Sequence, residues 1–375
     1  MDVTFNSFKI RYVILDDILG KTLKRNNIHS VNLFINLDYI NYRFRVVKYN
    51  STFQSCGASA FKQYASNVLN LVAHYKKWFI RNNIRLKCFI YYTNATGGFT
   101  SSIINRNYRR KYLETTDHNN PDCYYVNNTI NGATQLLTSV CDYIDGVYLI
   151  NSKGEEPSVV PYLIAQEMPA DWNYILTKDR LELQYTTYDK FSIIYPSRAR
   201  GDRIVNAADL WELICEKEQK FTTYMKEYDP KLFIPAMAIA GDTMRSVKKI
   251  RAIGWITILN TLDELWSTNK DHSIVTILDG ITKMLESKNR AIEEKYIYNH
   301  RMNMLMLSMK SRYDVMSETN KTMILSQIKD IPDRETMNQI STNPMLFGNY
   351  PINVDALFAS NIHVDWSTNV KNNYK

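Results

Sequence analysis

Ile234-Pro-Ala-Met-Ala-Ile-Ala-Gly-Asp-Thr-Met-Arg-Ser-Val-Lys-Lys-Ile-Arg-Ala-Ile-Gly-Trp255, followed at once by Ile256-Thr-Ile-Leu-Asn-Thr-Leu262, is the stretch whose reading decides the fold. It sets Lys248, Lys249 and Arg251 close together, cations that attract a polyanion whatever its sequence. Far upstream, Val31-Asn-Leu-Phe-Ile-Asn-Leu-Asp38-Tyr-Ile-Asn-Tyr-Arg43 is a short apolar run with a carboxylate at its carboxyl end. Open α/β sheets place their ligands at that end of their strands. The whole chain carries 46 Lys and Arg against 38 Asp and Glu, a net +8 that favours an anionic partner, nucleic acid being a common one.

Between these stretches the chain alternates. Residues 58–82 are apolar at helical spacing and end on Lys76, Lys77 and Arg81, cations suited to a helix carboxyl end. The spacing predicts a strand over Arg85 to Thr93, then a turn-rich loop, Asn94-Ala-Thr-Gly-Gly-Phe99. Residues 130–165 read as helix, strand (Asp145 to Asn151), turn and helix. Another strand is expected over Asn173 to Thr177, and a basic loop, Arg198 to Arg203, precedes a helix over residues 207–218. This rhythm predicts an α/β fold with a central, mainly parallel sheet flanked by helices. Farther on, Met302, Met304, Met306 and Met309 read as core.

Four segments, in order, resemble the 5′-nuclease family, which includes flap endonucleases and 5′ to 3′ exonucleases. The opening stretch is similar to its helix-three-turn-helix segment, keeping Ala238, Gly241, Asp242, Ile253, Gly254 and Thr257 in register. The Val31 to Asp38 run resembles the family's first strand, which ends in a metal-binding Asp. Gly154-Glu-Glu156-Pro-Ser158-Val159 resembles a G-x-E-A-D-D motif, and Thr177-Lys-Asp179-Arg-Leu181-Glu-Leu-Gln184 resembles S-G-D-K-D-L-L-Q. The likeness runs over residues 30–265. It implies a PIN-like core over residues 1–205, a helix-three-turn-helix DNA-binding region over 206–270 and a helical C-terminal extension over 271–375.

The resemblance also implies a site. Asp38, Glu156 and Asp179 stand at catalytic positions, and Asp38, Glu155, Glu156, Asp179 and Asp242 are the expected metal ligands, holding one Mg²⁺ ion or none. In-line phosphodiester hydrolysis gains from two such ions. Five expected acids are missing: Thr93, Ser158, Val159, Leu181 and Arg245 stand in their places. Arg245 supplies permanent positive charge where a second cation would sit. Arg106, Arg109, Arg110 and Lys111, interleaved with Tyr108 and Tyr112, are similar to the family's basic arch helix, with a solvated basic face as the alternative. With Arg245, Lys248, Lys249 and Arg251 they are the expected nucleic-acid contacts.

Glycine is lost where Lys249 and Ala252 stand, so contact there is expected by a different backbone geometry. The five cysteines are widely spaced with no Cys-x-x-Cys pair, which argues against a disulfide framework or a zinc site. No signal peptide or membrane span is evident, and a cytoplasmic location in a host cell is expected. High Asn, Lys, Ile and Tyr usage points to a phage or other virus. The leading expectation is a catalytically degenerate accessory factor that binds branched DNA or single/double-strand junctions in replication or repair. The alternatives are an active flap endonuclease, 5′ to 3′ exonuclease or RNase H-type nuclease on a reduced acid set, and a module that binds a viral protein through its C-terminal helices instead of DNA.

Overall fold

A computed structural model describes residues 27–37, 40, 59–93, 121–196, 203–217, 228–242, 245, 247, 254–268, 280, 283, 302–329, 331–343, 345–347 and 350–359. Among these, β1 (Ser30–Asn36), β2 (Arg85–Tyr92), β3 (Val147–Asn151), β4 (Trp172–Leu176), β5 (Phe191–Tyr195) and β6 (Arg203–Val205) form one sheet in the order β3-β2-β1-β4-β5-β6. The first five strands run parallel, and β6 pairs antiparallel with β5. The chain therefore builds outward from β1 in both directions. The crevice outside the carboxyl ends of β1 and β4 is the switch point where such sheets bind ligands.

Successive side chains of a strand point to opposite faces, and both faces here are apolar. Leu33, Ile35, Cys88, Ile90 and Leu149 enter one core; Phe34, Phe89, Tyr148, Ile175 and Ile193 enter the other. Helix α1 (Ser59–Arg81) covers the first face with Tyr64, Val68, Val72, Tyr75 and Phe79, a row at helical spacing. Helix α2 (Pro121–Cys141) adds Ala133, Leu137 and Val140 beside it. Asn83, at φ +57°, turns the chain from α1 into β2, a conformation that asparagine tolerates better than most residues.

The second face is covered by α3 (Val160–Glu167), α4 (Leu210–Lys217), α5 (Phe233–Ala240) and α6 (Trp255–Thr268), through residues such as Leu163, Leu210, Phe233, Met237, Ile258 and Leu262. Of the four methionines expected in the core, Met306 and Met309 are buried there, Met304 packs half-buried against it and Met302 is half-buried. Helices α7 (Met309–Val315) and α8 (Glu318–Leu325) follow against α3. The chain then crosses the sheet edge. The Asn151 amide donates to Gln327 Oε1 at 3.0 Å, and Gln327 Nε2 donates to the Asn151 carbonyl at 2.8 Å, so one side chain caps the end of edge strand β3.

Beyond that crossing, α9 (Arg334–Thr342) and α10 (Val354–Leu357) return to the first face, where Met337, Phe347, Val354 and Leu357 join its core. Lys76 of α1, buried, donates to the Leu357 carbonyl at 2.6 Å. The described residues after 302 thus enter both cores and form no core of their own. The ends of β1 to β4 and of α1 fall within two residues of the sequence reading, whereas α2 begins at Pro121, well before the expected residue 130, the expected helix from 207 opens as a 3₁₀ turn over Ala207–Asp209, and β5 and β6 were not expected. Among the described residues, no helix is long and apolar enough to cross a membrane.

Candidate metal centre

Three acids meet at the carboxyl end of the sheet. After β3, Lys153 (φ +52°) and Gly154 (φ +90°) turn the chain sharply, and Glu156 follows, fully buried, at the start of a 3₁₀ turn over Pro157–Val159. After β4, Asp179 accepts from the Leu181 amide at 2.9 Å, and its own amide donates to Thr177 Oγ1 at 2.9 Å. That pair of bonds fixes the carboxylate at the head of a second 3₁₀ turn, Leu181–Thr187. The third acid, Asp242, follows α5.

Gly241, at φ +78°, ends α5 with its amide donating to the Met237 carbonyl. Only glycine enters this region cheaply. Asp242 and Val247 then exchange both backbone hydrogen bonds, at 3.0 and 2.8 Å, closing a tight loop that returns Arg245 toward the sheet. Its NH2 group lies 2.5 Å from Asp179 Oδ2 and 3.2 Å from Glu156 Oε1, and NH1 lies 3.0 Å from Asp242 Oδ2. The Arg245 side chain is only 4% exposed. One guanidinium therefore sits among three carboxylates at the switch point.

This placement departs from the expectation that Arg245 contacts nucleic acid, because the acids engage both terminal nitrogens and burial removes them from solvent. It also decides how a divalent ion fits. Mg²⁺ requires near-ideal octahedral oxygen geometry at about 2.0–2.1 Å. Here the carboxylate oxygens are held apart around a fixed cation that would repel a second one. Among the described residues, no three His, Cys, Asp or Glu side chains are placed to hold a metal ion. Glu156, Asp179 and Asp242 as they stand do not fit Mg²⁺. Glu155, though buried, accepts from Asn320 Nδ2 of α8 at 2.8 Å.

A further acid escaped sequence reasoning. Glu182 stands one residue past Leu181 and is fully buried against the carboxyl ends of β1 and β2. Its oxygens accept from Asn36 Nδ2 of β1 at 2.8 and 2.9 Å and from Tyr91 Oη of β2 at 2.7 Å. Burial first, then the charge of Asp179, raises its carboxyl above the usual range, while the donors from Thr177, Tyr91 and Asn36 pull it back. Its place between Leu181 and Leu183 gave no cue in the sequence. Asp38, Arg106, Arg109, Arg110, Lys111, Lys248, Lys249 and Arg251 lie outside the described residues.

No family model matches this chain, and no curated protein does. Solved structures do. A bacteriophage T5 flap endonuclease, as a pseudo-enzyme–product complex with DNA and metal ions, superposes with a TM-score of 0.51 at 14% identity, over 79% of this chain and 98% of that one. The T5 5′-exonuclease with bound zinc gives a TM-score of 0.52, also at 14% identity and over 79% and 98% of the two chains. The sheet, its helical layers and this likeness together show that the chain has the PIN-like fold of the 5′-nucleases.

Proposed function

We propose that this protein binds DNA on a 5′-nuclease fold whose metal chemistry has been replaced by an internal ion cluster. The observation that carries the reading is Arg245, buried among Glu156, Asp179 and Asp242. A guanidinium supplies permanent charge and fixed donors, so it satisfies the acids without a metal. It generates no hydroxide and stabilises no leaving oxygen as metal ions do. The acids that remain then serve to hold the 242–247 loop against the sheet.

DNA as the ligand is supported by the fold, by the net +8 and by the basic runs at 106–111 and 248–251. Branched DNA or a single/double-strand junction is the substrate class proposed, in an accessory role in replication or repair. The Asn-, Lys-, Ile- and Tyr-rich composition supports a viral setting. A band-shift titration in EDTA tests this with a 5′-flap junction and a linear duplex of equal length. Retention of both, tighter for the junction, is expected; no retention of either at low salt would overturn the reading.

A further inference from the structure

Beside the acid cluster, the carboxyl edge of the sheet changes sign. Lys178 and Arg180 flank Asp179 after β4, and Arg203 opens β6, where it pairs with Tyr195 at the end of β5. Each cation lies on an aromatic ring. Lys178 Nζ is 5.3 Å from the centre of the Tyr195 ring, and the Arg203 guanidinium is 5.9 Å from the same centre. The Arg180 guanidinium lies 4.7 Å from the centre of the Trp255 ring, at the start of α6. All three cations are half-buried, as is Trp255.

This arrangement differs from a solvated basic face in two ways. A cation over an aromatic face is held in place by the negative face of the ring, so each head group loses less freedom on meeting an anion. Their placement is also directional. The cations run from β4 to β6, two strand spacings or roughly 10 Å, along the one edge where the switch-point crevice opens. That width is less than the about 12 Å of a B-form major groove, so the row suits one backbone better than two.

The acids place a limit on the path. Glu156, Asp179 and Asp242 carry three negative charges against the one of Arg245, which disfavours a phosphate directly over the cluster. The cations around Asp179 offset that field only on the β4 to β6 side.

We infer that Lys178, Arg180 and Arg203, anchored on Tyr195 and Trp255, form a phosphate rail that holds a single DNA strand as it leaves the crevice. The rail is built of residues other than those of the basic runs at 106–111 and 248–251, and the inference rests on the DNA-binding reading above. Affinity for a single strand should fall with salt by about 0.7 in the log–log slope per phosphate contact.

The test measures fluorescence anisotropy of a 20-nucleotide single-stranded DNA over a salt series in EDTA, with the intact protein and three variants. The Lys178→Gln/Arg203→Gln double variant is expected to lower the slope by about 1.4, and Arg180→Gln alone by about 0.7. Arg85→Gln removes an exposed cation from the opposite, amino end of the sheet and is expected to leave the slope unchanged. Circular dichroism confirms that each variant folds, and Arg180→Gln carries the test alone if the double variant does not. A slope unchanged by the rail variants, or lowered as much by Arg85→Gln, overturns this inference alone. Failure of the intact protein to bind any DNA overturns it together with its parent reading.

Discussion

Replacing Arg245 by methionine keeps much of the side-chain volume and removes the charge, leaving Glu156, Asp179 and Asp242 to face one another in a buried site. At an effective dielectric constant near 20, a pair of unit charges 4 Å apart interacts by about 4 kcal/mol, and the three contacts of Arg245 are shorter, at 2.5, 3.0 and 3.2 Å. Desolvation of the guanidinium offsets much of that attraction, so the net loss is better taken from buried ion pairs that lose one partner, about 3–5 kcal/mol. This is a large part of the about 5–15 kcal/mol that holds a typical domain folded. With a urea slope of about 3 kcal/mol/M, the denaturation midpoint should fall by about 1–1.7 M.

Two controls give the reasoning its direction. Without Arg245 the three acids repel one another, so adding Asp179→Asn to Arg245→Met should recover part of the loss. Millimolar Mg²⁺ or Mn²⁺ should restore part of the midpoint in Arg245→Met, because three uncompensated carboxylates attract a divalent cation. The same ions should leave the unmutated protein unchanged. A loss below about 1 kcal/mol, unaltered by divalent ions, would refute the account of the cluster.

Three other outcomes are expected. Glu182→Gln should change the pH dependence of stability: the raised carboxyl of Glu182 favours the folded state below its ordinary value of 4.5, and that advantage is lost as pH rises through the folded-state value, so the variant should lack this decline in urea melts. Gly241→Ala forces a side chain into φ +78° at the turn that aims Arg245, and thermal melts should show a loss of about 1–2 kcal/mol. Gln327→Ala removes two hydrogen bonds from the end of β3, and hydrogen exchange at the Asn151 amide should accelerate while exchange in the central strand β1 stays slow.

The parallel sheet was legible because its strands are apolar runs bounded by turn residues. Residues 31–36, 85–92 and 147–151 each show this pattern, and α1 announces itself by the spacing of Tyr64, Val68, Val72 and Tyr75. Strand β5 was missed because only the 3₁₀ turn Leu181–Thr187, and no α-helix, separates it from β4, so the alternating rhythm gave no cue. The retained acids Glu156, Asp179 and Asp242 were placed by resemblance, and the structure brings all three together.

The direction of Arg245 was not legible. Its aim depends on Gly241 and on the Asp242–Val247 bonds, and one side chain's orientation across a loop leaves no periodic trace. Glu182 was hidden for the opposite reason. It sits in a run of buried apolar residues, Leu181 and Leu183, where helical or strand periodicity gives no reason to expect a carboxylate, and its partners Asn36 and Tyr91 are far away in sequence.

The central claim is that Arg245 has taken the place of catalytic metal. It is tested most directly by incubating the unmutated protein with a 5′-flap DNA in Mg²⁺, in Mn²⁺ and in EDTA, and resolving bound complex and cleaved strands from the same samples. The account predicts bound complex in all three, with no products that depend on metal. Products that form with Mg²⁺ or Mn²⁺ and vanish both in EDTA and on Asp179→Ala substitution would contradict it.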